Sequence, residues 1–259
     1  MKITTLFCSL AAGLIAFAAA AEEPFGMKSS TTITPRGNIN NVKNGWTQRW
    51  LTKAKQTAEL KNDIQILFVG DSITHFWERD AKSNKRGIGG SVTYKKYFGN
   101  YRMLNIGYSG DRTEHTLWMV NKSKLLDNIK PALAVVMIGT NNIGHKKAGV
   151  EATAAGIKLV VESLRKKLPE TRILLFGVFP RAAKPEDPFR KQISEINNTI
   201  CKLADDKYVF YCDITAKLLE KDGTLSRKIM PDLLHPGEAG YEIWAQAIMP
   251  YVNKFVNKK

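Results

Sequence analysis

Five short runs of apolar residues recur along the chain, with longer stretches of helical periodicity between them. The runs are IQILFVG at 64–70, RMLNIG at 102–107, ALAVVMIG at 132–139, RILLFGVF at 172–179 and YVFYCDI at 208–214. Runs that are apolar on both faces are typical of parallel strands covered by helices on each side. The alternation therefore predicts an α/β fold, a three-layer α/β/α sandwich around a five-stranded parallel sheet with right-handed crossovers.

Four longer stretches carry the three- and four-residue spacing of apolar side chains that is typical of helices. They are 45–60, 150–168, which Pro169 ends, 189–206 and 237–256. No linker rich in Pro, Gly or Ser divides the middle of the chain, so we expect one domain over 45–259. Residues 22–44 are expected to form an extended segment that precedes this domain.

Residues 1–21, MKITTLFCSLAAGLIAFAAAA, begin with a lysine, continue as an apolar run and end in small residues. This layout predicts a secretory signal peptide. An uncleaved membrane anchor is the alternative, but the apolar run is short for a membrane span. We therefore expect a periplasmic or secreted protein without stable membrane insertion.

The formal net charge is +15, with 44% hydrophobic and 24% charged residues. These proportions are those of an ordinary globular protein and exclude a disordered chain. In an exported protein, a basic surface favours an anionic neighbour such as an acidic glycan or a lipid headgroup, whereas nucleic acid is not expected as a partner. An evenly solvated basic surface is the alternative.

Polar residues follow the first three predicted strands at the point where each strand ends. They are Gly70-Asp71-Ser72, the stretch GYSGD at 107–111, and GTNN at 139–142. Taken singly, each is also a plain turn or helix cap. Because ligands of an open parallel sheet bind beyond the carboxyl ends of its strands, three aligned polar ends predict a site.

A fourth polar set, PDLLHPG at 231–237, precedes the last predicted helix. A turn there can place the Asp232 carboxylate against one nitrogen of His235 and leave the other nitrogen free. An imidazole with a pKa of about 6.5, oriented by a carboxylate, is the base that a serine nucleophile needs. The set therefore favours Ser72 as a nucleophile, with a helix cap beside a surface histidine as the alternative.

The remaining histidines do not predict a metal site. His75, His115 and His145 lie near the strand ends, but H-x-x-x-H and C-x-x-C spacings are missing from the sequence. Zinc sites are built from such repeated ligands. We therefore expect neither a metal nor a cofactor.

These residues resemble the SGNH, or GDSL, hydrolase family. The named positions fall on Ser72 in GDSIT, Gly110 in NIGYSGDRT, Asn141 in GTNN and His235 in DLLH, with Asp232 as the acid. Over roughly residues 45–255 the chain is similar to the subgroup of platelet-activating-factor acetylhydrolase catalytic subunits and their bacterial relatives. The similar blocks are LFVGDS, LNIGYSGDRTEHTLW, NIKPALAVVMIGTNN, FPRAAKPEDPFR and DLLHPGEAGY.

The resemblance implies a flavodoxin-like fold with a shallow site, and an oxyanion hole of the Ser72 and Gly110 N–H groups with the Asn141 amide. It also implies a homodimer. Ser109 stands where the mammalian enzymes have a further glycine, and the basic stretch 82–97 looks longer than theirs. Substrate choice is therefore not carried over.

We expect an exported serine esterase that removes short acyl groups, such as acetyl, from a small-molecule or glycan ester. A lysophospholipase or thioesterase is the alternative within hydrolases. Outside that class, a catalytically silent glycan-binding protein and a flavin or nucleotide binder remain as further alternatives.

Asp71, Arg112 and Asn142 are the candidate substrate-binding residues, although Asp71 is favoured more as a brace for its loop. Arg112, together with the basic stretch 82–97 and the lysines at 146–147, is expected to favour an anionic substrate. A solvated basic loop is the alternative.

Overall fold

All five predicted strands are present and form one parallel sheet. The structure is a computed structural model that describes residues 22–256, so the predicted signal peptide at 1–21 lies outside the described residues. The strands are β1 (Ile66–Gly70), β2 (Met103–Gly107), β3 (Leu133–Met137), β4 (Arg172–Phe176) and β5 (Val209–Cys212), in the order β2-β1-β3-β4-β5. Strand order changes direction between β1 and β3, which creates a crevice at their carboxyl ends.

Helices precede the sheet, connect its strands and close the described chain. They are α1 (Met27–Thr31), α2 (Gly45–Leu60), α3 (Ser72–His75), α4 (Ser91–Phe98), α5 (Thr113–Asn121), α6 (Thr140–Gly144), α7 (Val150–Lys167), α8 (Pro188–Ile200), α9 (Thr215–Leu218) and α10 (Glu238–Phe255). The four predicted long helices are confirmed as α2, α7, α8 and α10. The helix predicted at 189–206 ends earlier, because the chain tightens into a 3₁₀ turn at Cys201–Leu203.

Side chains alternate between the two faces of the sheet and bury both. Leu67 and Val69 of β1 face a core shared with α5, α7 and α8, whereas Ile66 and Phe68 face one shared with α4 and α10. Successive residues of a strand point to opposite faces, so a strand buried on both faces has to be apolar throughout. The predicted three-layer α/β/α sandwich is confirmed.

The segment 22–44 differs from the extended form predicted for it. It contains α1, which packs against α5 and α7 of the main body. Ser30 is buried, and its carbonyl accepts a hydrogen bond of 2.8 Å from the Thr113 hydroxyl. A five-residue helix is too short to display a helical period in sequence, which explains the difference.

Candidate active site

A sharp strand-to-helix turn presents Ser72 at the carboxyl end of β1. Asp71 caps α3, accepting a hydrogen bond from the Ile73 N–H at 2.9 Å, and Ser72 is the first residue of the helix. The turn needs glycine at position 70, because a Cβ there would lie 2.2 Å from the Met137 carbonyl oxygen. The nucleophile candidate is therefore fixed by backbone packing.

Ser72, His235 and Asp232 form a continuous hydrogen-bonded chain. Ser72 Oγ lies 2.8 Å from His235 Nε2, and His235 Nδ1 lies 2.8 Å from Asp232 Oδ2. The other carboxylate oxygen, Oδ1, accepts the backbone N–H groups of Leu234 and His235 at 3.1 and 2.7 Å. Hydroxyl, imidazole and carboxylate in this order can activate the hydroxyl as a nucleophile.

The charge state of Asp232 suits this arrangement. Partial burial opposes its ionisation, but hydrogen bonds from the His235 ring and from the backbone N–H groups outweigh burial and lower the pKa of Asp232 to about 2. An ionised Asp232 accepts the Nδ1–H of His235, so Nε2 is left to accept the Ser72 hydroxyl proton. The Phe76 ring lies against the imidazole, with 5.2 Å between ring centroids.

Gly110 and Asn141 lie at the neighbouring strand ends. Gly70 is paired with Gly107 of β2 and with Met137 of β3, so the loops that carry Gly110 and Asn141 flank the turn that carries Ser72. The Asn141 side chain donates one amide hydrogen to the Asp111 carbonyl at 2.8 Å, and its second amide hydrogen has no acceptor among residues 22–256. Gly110 has a φ of 79°, a left-handed conformation that glycine adopts readily.

The structure places two predicted substrate-binding residues out of a ligand's reach. Asp71 and Asn142 are both fully buried. Asn142 donates to the hydroxyls of Ser30 and Thr113 at 3.1 and 2.9 Å and accepts the Thr113 N–H at 3.1 Å. Substrate contact by Asp71 and Asn142 is therefore a wrong prediction, because both side chains are used in holding the loops together. The alternative that Asp71 braces its loop agrees with its cap hydrogen bond.

Arg112, the third candidate, is partly exposed and paired. Its Nε lies 2.5 Å from the buried Glu114 carboxylate. In the basic stretch 82–97, Lys96 pairs with Glu242 of α10 at 2.7 Å, so this lysine is engaged on the surface of α4 and α10. Substrate contact by Arg112 stays a prediction.

Neither Arg36 nor Arg181 was predicted as a site residue from sequence, and His75 was considered only as a metal ligand. The Arg36 guanidinium packs on Gly110, where an added Cβ would lie 2.5 Å from it. The Nδ1 atom of His75 lies 3.0 Å from the Ser109 hydroxyl, and Arg181 donates to the Thr140 carbonyl at 3.2 Å. Arg181 lies in one of the family-like blocks, FPRAAKPEDPFR, which is a signal for it. Arg36 precedes all of those blocks, so no motif pointed to it.

Metal ligands and membrane spans were sought among residues 22–256. In that range no three His, Cys, Asp or Glu side chains lie close enough together to hold a metal ion. No helix there has the length and apolar character to cross a membrane.

Comparison with known proteins places this geometry in a family. The model of the GDSL-like lipase/acylhydrolase family matches residues 68–243. The human platelet-activating factor acetylhydrolase IB subunit alpha1 is 29% identical over 196 residues, which are 74% of this chain and 78% of that protein.

Solved structures agree on the fold. A GDSL-like lipase from Bacteroides thetaiotaomicron superposes with a TM-score of 0.64 at 20% identity, over 84% of this chain and 99% of that one. An acetyl-xylooligosaccharide esterase variant from Geobacillus stearothermophilus has a TM-score of 0.56 at 20% identity, over 73% of this chain and 94% of that one. The sequence match to the family model carries the assignment, and the shared fold agrees with it. This chain belongs to the GDSL-like lipase/acylhydrolase family and is a carboxylic ester hydrolase.

Proposed function

We propose that this protein is a serine esterase that hydrolyses short-chain esters, in particular acetyl esters carried by a carbohydrate. The observation that supports it most is the chain of two 2.8 Å contacts from Ser72 through His235 to Asp232. His235 and Asp232 keep 17% and 24% of their side-chain surface exposed, whereas Ser72 is 5% exposed, so the catalytic chain lies at the protein surface.

The proposed reaction has two steps. His235 Nε2 takes the hydroxyl proton of Ser72 while Oγ bonds to the ester carbonyl carbon. The tetrahedral intermediate then collapses and breaks the carbon–oxygen bond to the alcohol. The imidazolium gives its proton to the departing oxygen, the alcohol leaves, and the acyl group stays on Ser72 Oγ. Water then attacks the acyl-enzyme, with His235 accepting its proton and returning one to Ser72 Oγ as the carboxylic acid leaves. Asp232 orients the imidazole and stabilises its cationic form.

Three donors are proposed to stabilise the tetrahedral oxyanion: the N–H groups of Ser72 and Gly110 and the free amide hydrogen of Asn141. The Ser72 N–H opens a helix and has no acceptor within it. An oxyanion-hole donor contributes about 3 kcal/mol to transition-state stabilisation. No step requires a cofactor.

The acetyl group is supported by the names of two similar proteins. One relative is named for acetylhydrolase activity towards platelet-activating factor, and one structural neighbour for activity towards acetyl-xylooligosaccharide. A lipid ester is the second candidate substrate, and the name of the first relative favours it. The carbohydrate is preferred because export, which is also part of the proposal, brings the enzyme to glycans.

The test is acetate release by wild-type protein from an aryl acetate, acetylated xylan, an O-acetylated sialic acid and a lysophospholipid, the last assayed for fatty-acid release. We expect release from the aryl acetate and one glycan, and a fall of at least 10³-fold in Ser72→Ala. Ser163→Ala, in α7, serves as the matched control and should retain activity. A folded wild type that leaves the aryl acetate intact contradicts the proposal. If the aryl acetate is hydrolysed and fatty acid is released from the lysophospholipid, but neither glycan loses acetate, the lipid ester is favoured.

Export is proposed from residues 1–21 and tested separately. The intact mass of protein recovered from the periplasm or medium should correspond to a chain that begins near residue 22. A full-length N-terminus confined to the cytoplasm contradicts export without affecting the proposed chemistry.

A further inference from the structure

Arg36, in the segment 22–44, places its guanidinium at the edge of the proposed oxyanion site. Arg36 leaves this segment and lays its guanidinium against Gly110, close enough that a Cβ added there would lie 2.5 Å away. Its side chain keeps 37% of its surface exposed. An arginine in this position is partly exposed to solvent and lies beside Gly110, a proposed oxyanion donor.

Arg36 lines a cleft of about 470 Å³ whose walls combine two arginines with the rings of Trp46 and Tyr108. Asn44, Arg49, His75 and Ser109 also line it, and among the described residues no carboxylate does. A second cavity shares Arg49 and His75 with this cleft and reaches Phe76, whose ring packs on His235. The second cavity, which Glu78 also lines, therefore borders the ring that packs on His235.

The amino terminus of α2 opens onto the same cleft. Asn44 caps this helix through its side-chain oxygen, which accepts the Trp46 N–H at 2.9 Å. The first N–H groups of a 16-residue helix carry partial positive charge. Together with Arg36 they make the cleft favourable for an anion.

Of the two arginines, Arg36 is the one available to a ligand. Arg49 donates to the carbonyls of Gly107 and Asn105 and to Glu78, at 2.8, 3.1 and 2.8 Å. Arg36 forms one ion pair within residues 22–256, with Asp111 at 3.4 Å. That Asp111 oxygen also accepts the Trp46 Nε1–H at 2.9 Å, and burial raises the pKa of Asp111 well above its usual range. The 3.4 Å contact, made to an oxygen that Trp46 also uses, leaves the remaining guanidinium N–H groups of Arg36 without a partner among the described residues.

We propose that Arg36 binds an anionic group of the ester substrate, a carboxylate or a phosphate, beside the oxyanion site. This inference rests on the proposed esterase function and specifies its substrate class. Because Arg36 packs on Gly110, whose N–H is a proposed oxyanion donor, the anionic group and the ester lie close together in the substrate. An acetylated uronic acid and an acetylated sugar phosphate each carry a charge and an ester on one sugar.

The test compares three aryl acetates that differ in one substituent: 3-acetoxybenzoate, 3-acetoxyphenyl phosphate and the neutral 3-acetoxybenzamide. Wild-type kcat/KM should be at least tenfold higher for one of the two anions than for the benzamide. Arg36→Met should remove that preference, since a hydrogen bond to a charged group is worth about ten- to a hundredfold. Which anion is preferred distinguishes carboxylate from phosphate.

Lys43→Met is the matched control, because it removes one positive charge from an exposed lysine of the same segment. Lys43→Met should keep the preference for the anionic ester. In the wild type, added salt should weaken that preference. Equal kcat/KM for all three esters, or a preference that persists in Arg36→Met, overturns the anion site and leaves the esterase intact. If none of the three esters is hydrolysed, the esterase proposal itself fails, and the anion site fails with it.

Discussion

At the scale of single residues, Asn141 and Asn142 are neighbours in sequence with different tasks. Asn141 has one amide hydrogen without an acceptor among the described residues, whereas the side chain of Asn142 bonds to Ser30 and Thr113. Their substitution should therefore separate catalysis from stability.

We expect Asn141→Ala to lower kcat by about 10²–10³ with a smaller effect on KM, since the oxyanion forms only in the transition state. Asn142→Ala should instead lower the free energy of unfolding by about 2–3 kcal/mol, because it leaves buried partners unpaired. Steady-state kinetics and urea unfolding of both variants check this. An unchanged kcat in Asn141→Ala would place its amide outside the oxyanion hole.

Asp71 carries a buried charge at the hinge of the catalytic turn. One of its oxygens has no hydrogen-bond partner among the described residues, and burial raises the pKa of Asp71 to about 6. The folded protein therefore binds a proton more tightly than the unfolded chain does. Protonation of Asp71 therefore contributes most to the free energy of unfolding below about pH 4, and this contribution declines as pH rises from about 4 to 6.

Asp71→Asn, which keeps an oxygen for the Ile73 cap, should raise the free energy of unfolding at pH 8 by about 1–3 kcal/mol. Near pH 4 the variant should show little of this gain, because Asp71 is then protonated in the folded state and about half protonated in the unfolded chain. Thermal unfolding of wild type and variant at the two pH values is the measurement. A gain of equal size at pH 4 and pH 8 would refute a charge-based cause.

At the scale of elements, one hydrogen bond joins α3 to the loop after β2. His75 ends the helix that begins with Ser72, and its ring meets Ser109, the residue before Gly110. Burial, with the charge of Arg49, lowers the pKa of His75 to about 4, so the ring is neutral at pH 7. This contact couples the nucleophile to a proposed oxyanion donor.

Ser109→Ala and His75→Ala should each lower kcat by about three- to tenfold, because misplacing reacting groups is costly even when the fold persists. The double variant should lose no more than the worse single variant, since both remove the same contact. A double-mutant cycle on kcat tests this, and fully additive losses would show that the two residues act independently.

At the scale of the whole molecule, residues 22–44 belong to the same packed body as the sheet. Ser30 is buried against Thr113 and Asn142, and Arg36 lies on Gly110. The segment thus supports the loops at the carboxyl edge from outside the region that the family model matches.

A chain that begins at residue 45 should have a melting temperature about 10 °C below one that begins at residue 22, because polar groups of α5 and α6 lose buried partners. Calorimetry on the two chains checks this. Equal stability of the chains beginning at 22 and 45 would show that the segment is dispensable.

The amino-acid sequence by itself determined the sheet, the long helices and the identity of the candidate catalytic groups. A strand buried on both faces has to be apolar throughout, and a long amphipathic helix repeats its pattern several times, so both are legible locally. The candidate catalytic residues could be predicted from sequence because each lies in a short polar turn that follows a strand or precedes a helix. They are Ser72, Asp232 and His235.

The tertiary structure alone decided which polar residues of that edge face a ligand. Asp71 and Asn142 have the same polar character as their neighbours, yet packing buries both. Arg36 meets Gly110 across 74 positions of sequence, and His75 meets Ser109 across 34. Local pattern carries no information about such pairs, because their contact exists only once the sheet has aligned its strand ends and the preceding segment has closed over them.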